Sequence, residues 1–273
     1  MFNVSGAGKL ILKGGNVSNR GQVAVASDGG EVIVENGSYV STKAAVFRAT
    51  VRGKVTVNAG ELTGQEGAID CWGKGSDNKC GAVITINGGK LTGTDNFAVA
   101  TNGSFGMGGN TIILNGGELE GNIQSAGYEA IGVYIANSDT FVMNGGSIKA
   151  NGGTAICMRA GDATINNGTI IATNVDKNGN VVADGKIGDD PTVMEGCSAI
   201  IYHETANYPG KAGMKLTVNG GTVTGVDHAI EVISNETEPQ VFVTGGTFTP
   251  EYPEPTPNET PVEEPAPDTP SGN

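Results

Sequence analysis

The sequence is poor in aromatic, basic and metal-binding residues. Aromatic residues make up 5% of the 273 positions, and there are only two histidines, four cysteines and one tryptophan. Lysine and arginine number 16 against 29 acidic residues, which gives a net charge of −13. Nucleic acids and anionic membranes bind to basic protein surfaces, so we expect neither as a partner.

Long apolar segments are also missing. No run approaches the ~20 apolar residues of a membrane span, and the first fifteen residues lack the charged and apolar regions of a signal peptide. We therefore expect no membrane insertion and no export signal in this chain. Two explanations fit that expectation: the protein is assembled inside a cell, or the sequence is a fragment of a longer protein.

The cysteines and histidines favour neither a metal site nor a cofactor. No Cys-x-x-Cys pair occurs, which makes a zinc site improbable. His203 and His228 lie at different offsets in the repeat described below, so they do not form a ligand pair. Cys71 and Cys80 bracket the loop CWGKGSDNKC and could form a disulfide in an oxidising compartment. We expect no metal and no cofactor.

What is abundant is glycine, and it recurs at regular intervals. Glycine occupies 45 positions, about double the ~7% of ordinary proteins, and each glycine within a helix costs about 1 kcal/mol relative to alanine. Paired turn residues recur with steps of 22, 23, 29, 28, 29, 22, 53 and 25 residues. A period in the twenties is typical of a solenoid. The turn pairs begin at residues 14, 36, 59, 88, 116, 145, 167, 220 and 245.

Apolar residues alternate between these turns, as in Leu216, Val218 and Val223, and period two predicts strands with one buried face. One repeat cannot bury its own apolar face, so the repeats must stack as parallel coils. We predict an all-β fold: a single right-handed parallel β-helix over residues 1–249, with about nine coils and three short strands per coil. The repeat pattern resembles that of the pectate-lyase-like superfamily over roughly residues 5–249. The resemblance concerns architecture alone, because such folds host unrelated functions.

An asparagine recurs at the first turn of successive repeats. Stacked in neighbouring coils, such side chains can each donate a hydrogen bond to one neighbour and accept one from the other. We interpret them as a structural ladder and not as a ligand site. The ladder residues are Asn58, Asn87, Asn115, Asn144, Asn166 and Asn219.

The third strand of each repeat contains the best candidate for a binding surface. We align its copies on Ala68, Ala98, Ala130, Ala155, Ala199 and Ala229. Alternation then points the first and third residues after the alanine inward and the fourth outward. Aromatic faces beside polar donors suit sugars, and binding residues concentrate on loops held by a rigid scaffold. The predicted glycan-binding strip consists of Trp72, Asn102, Tyr134, Arg159 and His203.

Catalysis is disfavoured, because glycosidases need a pair of nearby carboxylates. In the second column after the alanine we place Asp70, Ala100, Gly132, Cys157, Ile201 and Glu231, so that four coils lie between the two acids. No catalytic residue is predicted.

Two segments depart from the repeat. Residues 173–198 form an acidic insertion, in which Asn178-Gly179 favours a hairpin over a calcium loop. Residues 250–273 contain eight prolines, six acids and no basic residue, which predicts a disordered tail.

Two functions remain open at this point. The first is a non-catalytic surface β-helix on a phage particle or bacterial cell, comparable to phage head-fibre and spike proteins or adhesin repeats, with cell-surface glycans as partners. The second is a carbohydrate-active β-helix enzyme, either a polysaccharide lyase or a glycoside hydrolase. A homotrimer, or attachment to a larger particle or surface protein, is expected for the first.

Overall fold

The structure is a computed structural model that describes residues 1–123, 130–181, 197–204 and 213–252. It confirms a right-handed parallel β-helix of nine coils with three strands per coil, and the described residues contain no helix. No described segment is therefore a helix that could cross a membrane.

The strands form three nine-stranded sheets, which we call A, B and C, and every strand pairs in parallel with those of the neighbouring coils. Sheet A consists of Phe2–Ser5 (β1), Ala24–Ser27 (β4), Ala45–Ala49 (β7), Gly67–Cys71 (β10), Phe97–Ala100 (β13), Ala130–Ile135 (β16), Gly153–Met158 (β19), Ile200–His203 (β22) and Ile230–Ile233 (β25). Sheet B consists of Lys9–Leu12 (β2), Glu31–Val34 (β5), Lys54–Val57 (β8), Val83–Ile86 (β11), Thr111–Leu114 (β14), Thr140–Met143 (β17), Gly161–Ile165 (β20), Met214–Val218 (β23) and Val241–Val243 (β26). Sheet C consists of Asn16–Asn19 (β3), Ser38–Ser41 (β6), Glu61–Gly64 (β9), Lys90–Gly93 (β12), Glu118–Asn122 (β15), Ser147–Asn151 (β18), Thr169–Thr173 (β21), Thr222–Thr224 (β24) and Thr247–Thr249 (β27).

The core is a set of apolar columns that run along the axis. In sheet B, Val55, Ile84 and Ile112 lie in register on successive coils and are at most 1% exposed. Burying such a side chain contributes about 1.5–3 kcal/mol relative to leaving it exposed. Because each coil supplies inward residues from three strands, the stacked coils together form the single core that no coil could form alone.

The asparagine side chains at the corner between sheets B and C are hydrogen-bonded into one ladder. Each Nδ2 donates to the Oδ1 of the asparagine one coil below, at 2.8–2.9 Å, from Asn87 up to Asn219. Asn58 donates to Glu35 at the lower end, and Thr244 donates to Asn219 at the upper end. The ladder therefore runs through six coils and ends on a side-chain partner at both ends.

The alignment of sheet A contained one error, which lies in β16. Val133 pairs with Val99 below and with Ile156 above, so Gly132 shares its column with Ala98 and Ala155. Ala130 is two residues out of that column. The column tolerates only a small residue here, because a Cβ on Gly132 would lie 2.2 Å from Cγ2 of Ile148.

The four cysteines are buried, and none of them forms a disulfide. Cys80 Sγ lies 3.9 Å from the carbonyl oxygen of Ala49, and Ala49 is the register partner of Cys71. Burial raises the pKa of both Cys71 and Cys80, the latter to about 11. The disulfide left open by the sequence is therefore not formed in this structure, and both groups are neutral thiols at pH 7.

The insertion and the tail are only partly described. Val175 pairs with Val181 in an antiparallel bridge, and Oδ1 of Asp176 accepts from the backbone amides of Asn178 and Asn180 at 2.8 Å. Residues 182–196 lie outside the described residues, as do residues 253–273 of the predicted tail. Tyr252, which lies three residues beyond the predicted end of the β-helix, packs against Phe248 with their ring centroids 6.0 Å apart.

Candidate functional site

Trp72 is the first residue after β10 and lies on the outer side of sheet A. Its backbone amide donates to Ala49 one coil below at 3.0 Å, which continues the parallel pairing beyond the strand end. Its side chain is 48% exposed, a large exposure for a tryptophan. The ring is thus held in place by its backbone and remains open to solvent.

A buried ion pair supports the tryptophan. Arg48 on β7 donates from Nε to Oδ1 of Asp70 at 2.8 Å, and its guanidinium carbon lies 5.3 Å from the centroid of the Trp72 ring. Burial raises the pKa of Asp70, while the hydrogen bond and charge of Arg48 oppose that rise. The hydrogen bond to Asp70 raises the pKa of Arg48. Both groups are charged at pH 7 and fix one another beside the ring.

The next loop presents a second aromatic ring with a cation. Phe105 is 60% exposed, and Lys74 Nζ lies 5.2 Å from its ring centroid. The loops 72–82 and 101–110 leave sheet A on adjacent coils and touch, since a Cβ on Gly106 would lie 2.5 Å from Oδ1 of Asn78. We call Arg48, Asp70, Trp72, Lys74 and Phe105 the Trp72 patch.

Asn102 lies in the same column as Trp72, because Asp70 pairs with Ala100 two residues earlier. Its Oδ1 accepts from the amide of Ser104 at 2.8 Å, and its carbonyl accepts from Asn137 at 2.9 Å. The side chain therefore orders the loop that carries Phe105. It is half-buried, which leaves part of the amide available to a ligand.

The structure does not bring the other three members of the predicted strip together with Trp72 in one exposed column. Tyr134 pairs with Ala100 and Cys157, so it lies two residues away from the column of Trp72. Arg159 and His203 do belong to that column, but each is only 1% exposed. Strand alternation predicts that a side chain points outward, whereas exposure also requires that no other part of the chain packs over it. The exposed part of this column is therefore limited to the two coils that carry Trp72 and Asn102.

The two carboxylates of sheet A lie far from one another, and each has a side-chain hydrogen-bond partner. Asp70 is bound by Arg48, and Glu231, five coils away, accepts from the hydroxyl of Ser198 at 2.7 Å. Within the described ranges, no group of three His, Cys, Asp or Glu side chains is arranged to hold a metal ion.

A buried polar network that the sequence reasoning missed lies beneath the second loop. Asp139 is 2% exposed, and its Oδ1 accepts from the backbone amide and from Nδ2 of Asn110 at 2.9 and 2.8 Å. Its Oδ2 has no hydrogen-bond donor among the described residues. Burial raises the pKa of Asp139, and the hydrogen bonds from Asn110 oppose that rise. Asn110 and Asp139 directly precede β14 and β17 and lie 29 residues apart, so the repeat spacing could have placed them side by side.

The raised pKa of Asp139 predicts a stability that falls as the pH increases. When the pKa of a carboxyl is higher in the folded state than in the unfolded state, the protein becomes less stable as the pH rises from the unfolded-state pKa through the folded-state pKa. We expect Asp139→Asn, which keeps an acceptor for Asn110, to raise the melting temperature at pH 7 and to change it little at pH 3.5. Thermal unfolding at a series of pH values measures the difference.

Asp139→Ala provides the matched control. It removes the acceptor of both Asn110 hydrogen bonds, so it should lower the melting temperature at every pH. A lower melting temperature of Asp139→Asn at pH 7 would show that the ionised carboxylate is needed by the fold.

No protein-family model, no curated protein and no solved structure matches the chain.

Proposed function

We propose that this protein is a non-catalytic surface β-helix that binds glycans through the Trp72 patch. Its principal support is the open tryptophan ring, which is 48% exposed above a hydrogen-bonded Arg48–Asp70 pair. Sugars pack their C–H faces on aromatic rings and need hydrogen-bond partners at the rim. The patch offers two rings and two cations on a rigid scaffold, and the Asn102 amide lies next to Trp72 on the adjacent coil.

A display role fits this kind of site. One ring face on a sugar contributes on the order of 1 kcal/mol, so a single patch binds weakly. Many copies on a phage particle or a bacterial cell raise the overall affinity by ~10²–10⁴ when geometry allows simultaneous binding. The proposal therefore places the protein on such a surface, as a fibre or adhesin element with pectate-lyase-like architecture.

The test is loss of glycan binding on removal of the two rings. We expect Trp72→Ala with Phe105→Ala to reduce binding on a glycan array at least about tenfold, the factor that corresponds to ~1.4 kcal/mol. The melting temperature should change little, because both side chains are exposed.

Phe242→Ala is the matched control. Phe242 is 45% exposed and has Lys215 Nζ 5.3 Å from its ring centroid, but it lies on sheet B, on another face. The control should bind like the parent chain. Equal binding by the Trp72 and Phe105 double variant would refute the patch as the binding site.

The alternative function is a carbohydrate-active enzyme that uses Asp70. A buried carboxyl with a raised pKa beside an exposed tryptophan is the observation that favours it. A reducing-end assay on neutral and acidic polysaccharides separates the two functions. Release of reducing ends by the parent chain, abolished in Asp70→Asn, would establish the enzyme and exclude the non-catalytic proposal.

A further inference from the structure

The charges are distributed unevenly along the axis of the β-helix. Residues 1–27 contain Lys9, Lys13 and Arg20 and no acid, whereas the described residues 216–252 contain five acids and no lysine or arginine. In a solenoid, position in the sequence is position along the axis. Eight steps of about 4.8 Å separate the first coil from the ninth by ~38 Å. The molecule therefore has a basic end and an acidic end.

Among the described residues, the end coils 1 and 9 bury their apolar side chains less completely than the coils between them. Most of the core is fully buried, but the apolar side chains at the two ends are only partly buried. An open end of this kind exposes apolar surface and the unpaired backbone groups of its edge strands. Within the described residues, the strands of coil 1 and coil 9 each have partners on one side only. The partly buried residues are Leu10, Leu12 and Val17 at the basic end and Val232, Val241, Val243 and Phe248 at the acidic end.

The two ends match one another column by column. Following the register from coil to coil, the column of Leu10 ends at Val241 and the column of Leu12 ends at Val243. The column of Val17 ends at Phe248 in the same way. If coil 1 of one copy stacks on coil 9 of another, apolar columns meet apolar columns. All three sheets then continue in parallel.

The charges complement each other at two corners of this stack. Counting along the register of sheet C, Ser18 shares its column with Thr249, and Arg20 and Glu251 each follow two residues later at the same corner. Lys9, which also pairs with Glu31 of the next coil at 3.0 Å, shares its column with Gln240.

The acids near Lys9 are available for contact. Glu236 and Glu238 lie in the loop just before Gln240, and both are exposed. Neither they nor Arg20 and Glu251 form an ion pair among the described residues.

We propose that this chain associates head to tail, with the basic coil 1 of one copy docked on the acidic coil 9 of a second copy. The two surfaces differ, so the contact is heterologous, and successive copies extend an open filament and do not close a dimer. Tyr252 packs against Phe248 at the acidic end and must move aside for β3 of the second copy to pair with β27. The proposal is independent of glycan binding.

Sedimentation velocity of the full chain over a range of concentrations tests the proposal. At about 20 mM salt we expect the mean sedimentation coefficient to rise continuously with concentration. At about 0.5 M salt, where the Debye length falls to roughly 4 Å, the rise should weaken. A single monomeric species at all concentrations in low salt would overturn the proposal.

Charge reversal separates head-to-tail contact from other modes. Lys9→Glu/Lys13→Glu/Arg20→Glu alters the basic end, and Glu236→Lys/Glu238→Lys/Glu251→Lys alters the acidic end. Each variant alone should associate at least about tenfold more weakly. An equimolar mixture should associate again, because each altered end then meets an end of opposite charge. Failure of the mixture to associate would contradict the assigned orientation.

Two controls keep the result specific. Lys43→Glu/Lys54→Glu/Lys177→Glu changes the net charge by the same amount as the basic-end variant. Its three positions are exposed on the sides of the β-helix, so it should associate like the parent. Equal weakening by this variant would mean that net charge alone is responsible. A chain that ends at Tyr252 should still associate, since every docking residue precedes residue 253, and loss of association would place the contact in residues 253–273 instead.

Discussion

Gly93→Ala is expected to destabilise the β-helix by about 3 kcal/mol, at the upper end of the usual cost of overpacking. Gly93 ends β12 at the corner where the chain turns from sheet C to sheet A. A Cβ there would lie 1.9 Å from the carbonyl oxygen and 2.5 Å from the carbonyl carbon of Phe97. Backbone atoms on the next strand cannot move aside as the end of a flexible side chain could. The free energy of unfolding, measured in urea, gives the cost.

Gly14→Ala is the matched control, because no atom lies within 4 Å of a Cβ at that turn. It should change the free energy of unfolding by less than about 0.5 kcal/mol. The same corner is occupied by Gly64 and Gly121 in neighbouring coils, where a Cβ would also lie within 2.1 Å of backbone. A stability of Gly93→Ala close to that of the parent would mean that this corner can open.

Arg48→Met is expected to destabilise the protein by about 2–3 kcal/mol. The substitution leaves Asp70, which is 4% exposed, without its cation. Breaking a buried pair costs about 3–5 kcal/mol, and the lower value applies because the Arg48 side chain is 24% exposed and partly solvated. Without Arg48, nothing opposes the burial that raises the pKa of Asp70. The cost should therefore be present at pH 7 and shrink towards pH 3.5, where the carboxyl is protonated.

Arg48→Met/Asp70→Val tests the cause. Val25 and Ala100 lie in the same column, so an apolar residue at Asp70 continues apolar neighbours. We expect the double variant to regain most of the lost stability in urea unfolding at pH 7, since the unpaired charge is gone. If the double variant is no more stable than Arg48→Met, the loss arises from the packing of the arginine side chain and not from the charge.

The regular part of the fold could be predicted because its signals are local and repeated. Alternation identified the strands, and a period in the twenties identified the coils. The asparagines lie at one turn whose geometry is the same in successive coils, so their positions in the sequence were enough to place them in one column. Hydrogen bonds from Asn87 up to Asn219 follow from that placement.

The binding strip could not be predicted in the same way, because sheet A is irregular. Strands β16 and β19 have six residues, whereas β13 and β22 have four. Aligning on alanine therefore displaced Tyr134 by two residues. Arg48 was overlooked because it lies one coil below the first aligned alanine, 22 residues before its partner Asp70.

The sequence by itself determined the class of fold, the direction of most side chains and the uneven distribution of charge along the chain. Only the tertiary structure decided which outward side chains reach solvent: Trp72 is open, whereas Arg159 and His203 are buried. It also decided that Asp139 and Asn110, 29 residues apart, form one buried network. The physical reason is that period and alternation are properties of each strand. Burial and ion pairing depend on how loops of different length pack between coils.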